Sequence, residues 1–303
     1  MPGINNGRVV VITGAGRGIG RAHAIEFASQ GAKIVVNDLG AEVDGSGRSE
    51  GPAGQVVEEI KGMGGEAVAN GDDVSDVEGA KRLIATAIDT FGGLDVLVNN
   101  AGILRDRMFV NMTVDEWDAV IRVHLRGTYA PMRAAVDFWR DRSKAGETND
   151  ARIINTTSPS GIYGNIGQTN YGAAKAGIAS LTVIAAMELG RYGITVNAIA
   201  PAALTRMTEN LGGFDSNAKA DEFDPNDPDN IAPLVVWLGS PESKDITGRV
   251  FNVYGGHISV AEGWVAGPGA DKGDRWDSAE LGSVVPDLVA KAAPNANMLG
   301  RRS

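Results

Sequence analysis

The first thirty residues contain a short strand, a glycine-rich loop and a helix, an order that few folds can use. Residues 8–12 are apolar and mostly β-branched, residues 13–20 have a glycine at every second position, and residues 21–30 form an amphipathic helix that Gly31 stops. Glycines let the backbone turn tightly and approach a pyrophosphate, whose charge the helix N-terminus accepts. The pattern therefore predicts a dinucleotide site. Its candidate contacts are Gly14, Arg17, Gly18, Ile19 and Gly20.

The second predicted strand, residues 33–36, is followed by Asp38, at the spacing expected for a carboxylate that binds the adenosine ribose. Asp38 should accept hydrogen bonds from both ribose hydroxyls and repel a 2′-phosphate, which favours NAD over NADP. Arg17 argues the other way, because a basic residue in the glycine loop can face a 2′-phosphate. An exposed arginine is often only a solvated charge, so we give Asp38 more weight than Arg17 in the choice between NAD and NADP. NAD is the expected cofactor.

Strands and helices continue to alternate along the chain. Apolar runs that predict strands lie at residues 67–69, 96–98, 153–155, 195–199 and 250–253. Helical patterns lie at residues 56–62, 77–91, 114–139, 168–189 and 231–238. The alternation predicts an α/β fold, a doubly wound parallel sheet of the Rossmann type, with helices on both faces and a single domain. The cofactor crevice should open at the carboxyl ends of the strands.

Tyr171 and Lys175 are one helical turn apart, and Ser158 follows the predicted strand upstream. An ammonium on the same helix face should stabilise the phenolate and lower the pKa of the phenol, which makes Tyr171 a usable base. A hydroxyl such as Ser158 can hydrogen-bond a substrate oxygen during hydride transfer. A tyrosine four residues before a lysine is also a common helical pair in which the ring only shields the lysine stem.

With these features in this order, the chain resembles the short-chain dehydrogenase/reductase family over about residues 8–256. The resemblance implies that Ser158, Tyr171 and Lys175 are catalytic and that Lys175 also binds the nicotinamide ribose. It implies further cofactor contacts at the adenine, at the end of the fourth strand and beside the nicotinamide. These are Asp73 and Val74, then Asn100, Ala101 and Gly102, then Pro201 and Thr205, besides Tyr171 and Lys175.

His124 departs from the family pattern, which has an asparagine at this position of the helix. That asparagine bends the helix and holds a water in a proton relay to the lysine. Neutral histidine both donates and accepts, so His124 can serve in the relay as a fourth catalytic residue. It can equally make a purely structural hydrogen bond. Both alternatives stay open at this point.

Four segments, residues 35–40, 100–107, 123–127 and 160–165, resemble the branch of the family that includes the dehydrogenase portion of peroxisomal multifunctional enzyme type 2. The resemblance implies oxidation of a (3R)-hydroxyacyl-CoA, with a fatty-acyl or sterol side chain, by NAD. Some members also accept hydroxysteroids. The alternatives are an NADPH-dependent 3-ketoacyl reductase, a dehydrogenase of free hydroxysteroids and, more remotely, a non-catalytic nucleotide-binding protein.

The 303 residues carry a net charge of −10, which disfavours nucleic acid as a partner and provides no attraction to anionic membranes. A small-molecule substrate is expected. An anionic CoA ester would need local basic groups, for which the candidates are Arg105, Arg107, Arg206 and Lys219; each can also be a solvated surface charge. The chain has no cysteine and three widely separated histidines, so no metal site is expected.

The N-terminus is short and polar, and no apolar run suggests a membrane span, so a cytoplasmic enzyme is expected. Residues 1–260 should form the catalytic domain, with an exposed loop at residues 40–54 and a substrate-covering lid near residues 205–230. Residues 261–303 extend past the usual family end and are too apolar for a free linker, so they should dock on the domain or on a neighbouring subunit. The resemblance implies a homodimer or homotetramer, although the long helices that form such interfaces could instead be core.

Overall fold

The computed structural model describes residues 3–47, 51–205 and 222–302, and in them eight strands form one sheet. The strand order is β3-β2-β1-β4-β5-β6-β7-β8, parallel throughout except that β8 runs antiparallel to β7. The strands are β1 Val9–Thr13, β2 Lys33–Asn37, β3 Glu66–Asn70, β4 Val96–Asn99, β5 Ala151–Thr156, β6 Ile194–Pro201, β7 Val250–Tyr254 and β8 His257–Ala261. The predicted doubly wound parallel sheet is confirmed.

Helices cover both faces of this sheet. They are α1 Gly18–Ser29, α2 Gly51–Gly62, α3 Val77–Phe91, α4 Val114–Ile121, α5 Gly127–Lys144, α6 Pro159–Tyr163, α7 Thr169–Leu189, α8 Ala232–Leu238 and α9 Leu281–Lys291. Local chemistry sets several of their ends. The Asp76 side chain accepts a hydrogen bond from the Gly79 amide at the start of α3, and Gly92 ends that helix with φ of 83°.

Two apolar layers hold the helices to the sheet. On one face Val10 and Ile12 pack with α1, α2 and α8, and on the other Val9 and Val11 pack with α3, α5 and α7. The alternation along β1 follows from the period of two in a strand, and because both faces are covered all five residues of β1 are buried. The carboxyl ends of the parallel strands therefore remain the place where a site can open.

The structure corrects two predicted elements. The helix expected over residues 114–139 is interrupted by a π-helical segment, Arg122–Arg126, and α5 then continues to Lys144. The loop expected over residues 40–54 ends earlier, because α2 begins at Gly51 and buries Ala53 in the core. Three elements that the patterns did not indicate are also present: β8, α6 and α9.

Residues 169–192 form a helical segment that is apolar and long enough to cross a membrane, with a mean hydropathy of 1.3. The expectation that no segment reaches this length and hydropathy is therefore wrong. However, this segment buries Asn170, Lys175 and Thr182 within the protein. A core helix of this kind passes the same length and composition test.

The segment after β8 lies mostly at the surface of the subunit. Helix α9 has no buried residue, and Trp264 is fully exposed. A turn close to the end of the chain touches the domain: a Cβ added at Gly300 would lie 2.8 Å from the Tyr163 hydroxyl. Within the expected lid, residues 206–221 lie outside the described residues, and Pro228–Ile231 forms a 3-10 turn.

Candidate active site

A cleft opens where the strand order reverses between β1 and β4. It encloses about 1160 Å³ of empty space, including the part open to solvent. Most of the cofactor contacts expected from the sequence line it, namely Gly14, Arg17, Gly18, Ile19, Gly20, Asp38, Asp73, Val74, Asn100, Ala101, Gly102 and Thr205. Pro201, Tyr171 and Lys175 are not among its lining residues. Tyr171 is nevertheless close, because its ring contacts His124, which packs on Gly102.

The glycine loop needs glycine at two positions in particular. Gly14 has φ of 63°, and a Cβ there would lie 2.7 Å from the Ala101 Cα; a Cβ at Gly20 would lie 2.1 Å from the Gly14 carbonyl oxygen. Helix α1 begins at the cleft, and the side chain of its N-cap residue, Arg17, makes no capping hydrogen bond. The first amides of α1 are thus available to an anion in the cleft.

Asn100 and Thr13 join the loop to the end of β4. The Thr13 hydroxyl accepts hydrogen bonds from the Asn100 and Ala101 amides at 2.9 and 3.1 Å. The Asn100 side chain donates to the carbonyl oxygens of Thr13 and Gly14, both at 3.1 Å. These four bonds fix the glycine loop against β4, so Asn100 acts on the cleft through the loop as well as by lining it.

Asp38 stands at the edge of the cleft just after β2. One carboxylate oxygen accepts a hydrogen bond from the Gly16 amide at 2.8 Å, and the other accepts from the Gly40 amide at 2.7 Å. The side chain of Asp38 is therefore tied to the glycine loop on one side. A carboxylate held in this way gives the end of the cleft a fixed acceptor and a negative charge.

The chain after Asp38 also lines the cleft, through Ala41, Glu42, Val43 and Gly45, which the sequence analysis did not identify. This loop is held over the segment that follows β4. The Leu104 amide donates to the Val43 carbonyl at 2.9 Å, and the Arg105 guanidinium donates to the Asp44 carbonyl at 2.8 Å. No sequence signal marks these contacts, since they join residues about 60 positions apart.

Ser158 caps the short helix α6 directly after β5. Its side-chain oxygen accepts a hydrogen bond from the Ser160 amide at 3.2 Å. The Ser158 hydroxyl also acts on the phenol of Tyr171, whose pKa it lowers as a hydrogen-bond donor. Because its oxygen already accepts from the amide, Ser158 is oriented to donate its proton toward the phenol or toward a substrate oxygen beside it.

Lys175 is buried, and its Nζ donates to the Thr156 carbonyl at 2.6 Å, with the Tyr171 ring centroid 5.5 Å away. Burial lowers the pKa of Lys175 to about 7. Burial raises the pKa of Tyr171 to about 12, against the opposing effect of the Ser158 hydrogen bond. The pKa of the phenol is therefore not lowered as expected, because desolvation outweighs the effect of the Ser158 hydrogen bond.

His124 lies in the π-helical segment and is buried. Its Nε2 lies 2.7 Å from the Ile103 carbonyl oxygen and 3.1 Å from the Ile103 amide nitrogen, and which of them it bonds depends on the tautomer. Burial first, and then the charge of Lys175, lower the pKa of His124 to about 3. The ring is therefore neutral at working pH. Within the described residues, its Nδ1 has no hydrogen-bond partner.

Two of the four basic residues expected to bind an anionic substrate already bind other groups of the protein. Arg105 binds the Asp44 carbonyl, and Arg107 forms an ion pair with Glu116 at 2.8 Å. Arg206 and Lys219 lie outside the described residues. In the part of the chain that the structure describes, no three His, Asp or Glu side chains are grouped so that they could hold a metal ion.

The chain belongs to the short chain dehydrogenase family, whose model it matches over residues 8–215. These enzymes are oxidoreductases that use nicotinamide nucleotides. Across 97% of its length the chain superposes on 98% of a short chain dehydrogenase from Mycobacterium avium, with 57% sequence identity and a TM-score of 0.87.

Two curated relatives carry more specific names. A hydroxyacyl-CoA dehydrogenase of Mycobacterium tuberculosis, ChsB1, is 42% identical over 95% of this chain and 90% of the relative. The peroxisomal multifunctional enzyme type 2 of Mus musculus is 47% identical over 84% of this chain but only 32% of the mouse protein. The similarity to the mouse protein is thus to one part of a longer chain.

We predict that Gly20→Ala abolishes tight binding of nicotinamide nucleotides. Its Cβ would lie 2.1 Å from the Gly14 carbonyl oxygen, so the loop must move away from its cofactor-binding form. Gly54→Ala is the control, because that helical position has open space around an added Cβ. Titration calorimetry with NAD and NADP should show that nucleotide affinity falls at least about tenfold in Gly20→Ala and stays unchanged in Gly54→Ala. Equal affinity of the two variants would refute the role of the loop.

The buried Lys175 should make stability depend on pH. Its pKa is about 7 in the folded protein, below its ordinary value, so above pH 7 the unfolded chain binds a proton that the folded one lacks. The free energy of unfolding should therefore rise with pH relative to Lys175→Met, by at most about 1.4 kcal/mol per pH unit from about pH 7 to about pH 9.5. Urea unfolding of both proteins measures this difference, and a gap that stays constant with pH would contradict the prediction.

Proposed function

We propose that this chain oxidises a (3R)-hydroxyacyl-CoA to the 3-ketoacyl-CoA with NAD. The observation that carries the proposal is the grouping of Ser158, Tyr171 and Lys175 beside the cleft of a short chain dehydrogenase. A hydroxyl, a phenol and an amine in this arrangement suit the removal of a proton from a secondary alcohol. The resemblance of the chain to hydroxyacyl-CoA dehydrogenases supports the choice of substrate.

The residues that line the cleft fit a nicotinamide dinucleotide. The uncapped N-terminus of α1 and the glycine loop suit its diphosphate, and the Asp38 carboxylate suits ribose hydroxyls. Asp73 and Val74 line the cleft where the adenine is expected, and Thr205 lines it where the nicotinamide is expected. A nicotinamide dinucleotide held by these residues would supply the acceptor for the hydride that leaves the carbinol carbon of the substrate.

The protein side of the reaction is then a proton transfer. Ser158 donates a hydrogen bond to the substrate oxygen and so orients the alcohol toward Tyr171. Tyr171 takes the hydroxyl proton, and the pKa of its phenol, which burial raises, must fall for this step. The charged form of Lys175 favours the phenolate, so deprotonation of Tyr171 is assisted while Lys175 keeps its proton.

His124 can take part in the same proton transfer as an uncharged ring. Its pKa of about 3 rules out an acid that is charged at working pH. In the tautomer that donates from Nε2 to the Ile103 carbonyl oxygen, Nδ1 is an acceptor. We propose that this acceptor takes the place of the usual asparagine in the relay that returns a proton to Lys175.

NAD is favoured over NADP by the same carboxylate. Asp38 is held in place by two amides, so it cannot swing away from a 2′-phosphate without breaking both hydrogen bonds. Arg17 is exposed at the rim of the cleft and remains the candidate that would oppose this preference. We expect a partly buried carboxylate that is fixed next to a phosphate to cost more binding free energy than a solvated arginine returns.

The acyl-CoA assignment rests on relatives at 42–47% identity, one named as a hydroxyacyl-CoA dehydrogenase and the other as a peroxisomal multifunctional enzyme. A further relative, a 3-oxoacyl-[acyl-carrier-protein] reductase of Synechocystis, is 41% identical over 83% of this chain. Reduction of a ketoacyl thioester by NADPH is therefore the second candidate. The two differ in cofactor and in direction, and both use the same three side chains.

Initial rates of NADH formation with (3R)-hydroxyacyl-CoA esters, straight-chain and steroid-bearing, should exceed those with the (3S) epimers and with free hydroxysteroids. Tyr171→Phe should lower kcat about a thousandfold or more while nucleotide binding is kept, since only the proton acceptor is lost. Tyr192→Phe, a tyrosine away from the cleft, is the matched control. Activity confined to free alcohols would contradict the acyl-CoA assignment. Full turnover by Tyr171→Phe would contradict the role of Tyr171 as proton acceptor.

Replacing Asp38 tests the cofactor preference separately. Asp38→Ser removes the charge that repels a 2′-phosphate, so the ratio of kcat/KM for NAD over NADP should fall by about tenfold or more. Asp44→Asn removes a carboxylate from the same loop that does not line the cleft and should leave the ratio unchanged. A wild-type enzyme that prefers NADP, or an Asp38→Ser variant with the original ratio, would contradict the role given to Asp38.

A further inference from the structure

A chain of hydrogen bonds runs from Asp106 to the catalytic serine. Gln168 Nε2 donates to Asp106 Oδ2 at 2.7 Å, and Gln168 Oε1 accepts from the Ser160 hydroxyl at 2.7 Å. The Ser160 amide in turn donates to the Ser158 side-chain oxygen at 3.2 Å. Gln168, Ser160 and Ser158 are all buried, so water competes little for these bonds.

Asp106 sets the direction of this chain. An ionised carboxylate only accepts, so the Gln168 amide must present its NH₂ group to Asp106 and its oxygen to the other side. That oxygen then accepts from Ser160 and also from the Asn165 side chain at 2.9 Å. A flipped Gln168 amide would set its oxygen against the Asp106 carboxylate and its NH₂ group against the Asn165 NH₂ group, so both of those bonds would be lost. The carboxylate therefore fixes which way the side chains around Ser158 point.

The same residues hold the start of α7, the helix that carries Tyr171. Gln168 is the N-cap residue of α7, and the Arg107 amide donates to the neighbouring Gly167 carbonyl at 2.8 Å. Asn170 donates to the Arg105 carbonyl at 2.9 Å and accepts from the Tyr171 amide at 2.7 Å. The strand-like segment around Asp106 thus braces the helix on both sides of Gln168.

We propose that Asp106 and Gln168 are positioning residues of the oxidoreductase, which orient Ser158 and hold the Asp106 carboxylate at the start of α7, the helix that carries Tyr171. The inference rests on the proposed function, because it assigns a role around the same Ser158 and Tyr171. Neither residue touches the reacting atoms; Asp106 acts through Gln168 and through its charge.

The charge of Asp106 has a defined effect. Its carboxylate adds to the burial that raises the pKa of Tyr171, so it favours the protonated phenol. Burial also raises the pKa of Asp106 itself, against the lowering effect of the Gln168 hydrogen bond. One oxygen, Oδ1, is buried and has no hydrogen-bond partner within the described residues. This carboxylate is therefore weakly screened.

The other charged or titratable groups around Tyr171 come from its own helix and from two elements packed against it. Lys175 lies on the same helix, with Nζ 5.5 Å from the ring centroid, and the ring of His124, in the π-helical segment, has its centroid 5.1 Å from that of Tyr171. Glu116 of α4 is near the start of the helix through its carbonyl, while its carboxylate binds Arg107 and the Thr113 amide. His124 is neutral at working pH, so in the part of the chain that the structure describes, the charges we consider for the phenol are those of Lys175 and Asp106.

Asp106→Asn separates charge from geometry. The oxygen of the introduced amide can still accept from Gln168, so the hydrogen-bond chain persists while the charge is lost. The tyrosinate titration of Tyr171, read by near-ultraviolet absorbance as the difference from Tyr171→Phe in the same background, should move to lower pH by on the order of half a unit. The pH profile of kcat/KM for oxidation should move in the same direction. Asp115→Asn, an exposed carboxylate on α4, is the control and should move neither.

Gln168→Glu tests the geometry. It sets two carboxylates against each other and should lower kcat about tenfold or more, with a smaller change in KM. In the double variant Asp106→Asn/Gln168→Glu, the amide introduced at position 106 can donate to the carboxylate introduced at position 168, which still accepts from Ser160 and Asn165. The double variant should therefore recover most of the kcat that Gln168→Glu loses.

Three results would overturn the inference: wild-type kcat in Gln168→Glu, no recovery in the double variant, or an unmoved tyrosinate titration in Asp106→Asn. The titration needs no substrate. If the wild-type enzyme failed on every hydroxyacyl-CoA and free alcohol, the proposed function would fall, and the titration would still decide the role of Asp106. If Gln168→Glu failed to fold, the nearly isosteric Asp106→Asn would decide it in the same way.

Discussion

The site depends on the position of β1 between β2 and β4. Right-handed crossovers carry the chain from β1 to β2 over one face of the sheet and from β3 to β4 over the other, so the connecting loops part at the carboxyl ends of β1 and β4. The cleft opens at this point. Thr13 and Asn100 hydrogen-bond across it, which keeps its two walls at a fixed separation. The glycine loop, Asp38 and Gly102 line one cleft because this topology brings three strand ends together.

Burial is the strongest electrostatic influence on Tyr171 and Lys175. It lowers the pKa of Lys175 and raises that of Tyr171, so the proton lies on the phenol and the amine is only partly charged near neutrality. Desolvation of a fully buried group shifts a pKa by about 3–5 units, more than an attraction across 5.5 Å at the effective dielectric constant of a protein returns. The Tyr171 phenol is thus protonated near neutrality, and its pKa must fall before it can take a proton from an alcohol.

The parts that the sequence predicted well are those that local chemistry determines. The helix at Val77–Phe91 has its own cap in Asp76 and its own stop in Gly92, and the glycine loop carries its conformation in its residue types. The family resemblance implied a bend near His124, but the buried contact between His124 and Ile103, 21 residues apart, could not be predicted from the sequence. The same holds for the cleft wall at Val43 and for the bond between Asp106 and Gln168, 62 residues apart. The spacing of apolar residues indicates which helices and strands form. It does not indicate which loops contact one another.

Lys175 combines an electrostatic role with an architectural one. Its Nζ donates to the Thr156 carbonyl, and its own carbonyl accepts from the Thr157 hydroxyl, both at 2.6 Å, so α7 and the end of β5 are joined by two reciprocal bonds. Ser158 follows directly, and its separation from Tyr171 is therefore set by Lys175. A neutral amine still has two N–H donors, so the bond to Thr156 survives loss of the proton. The geometry of the catalytic group is thus independent of the charge on Lys175, and a change in pH alters the proton affinity of the site without dismantling it.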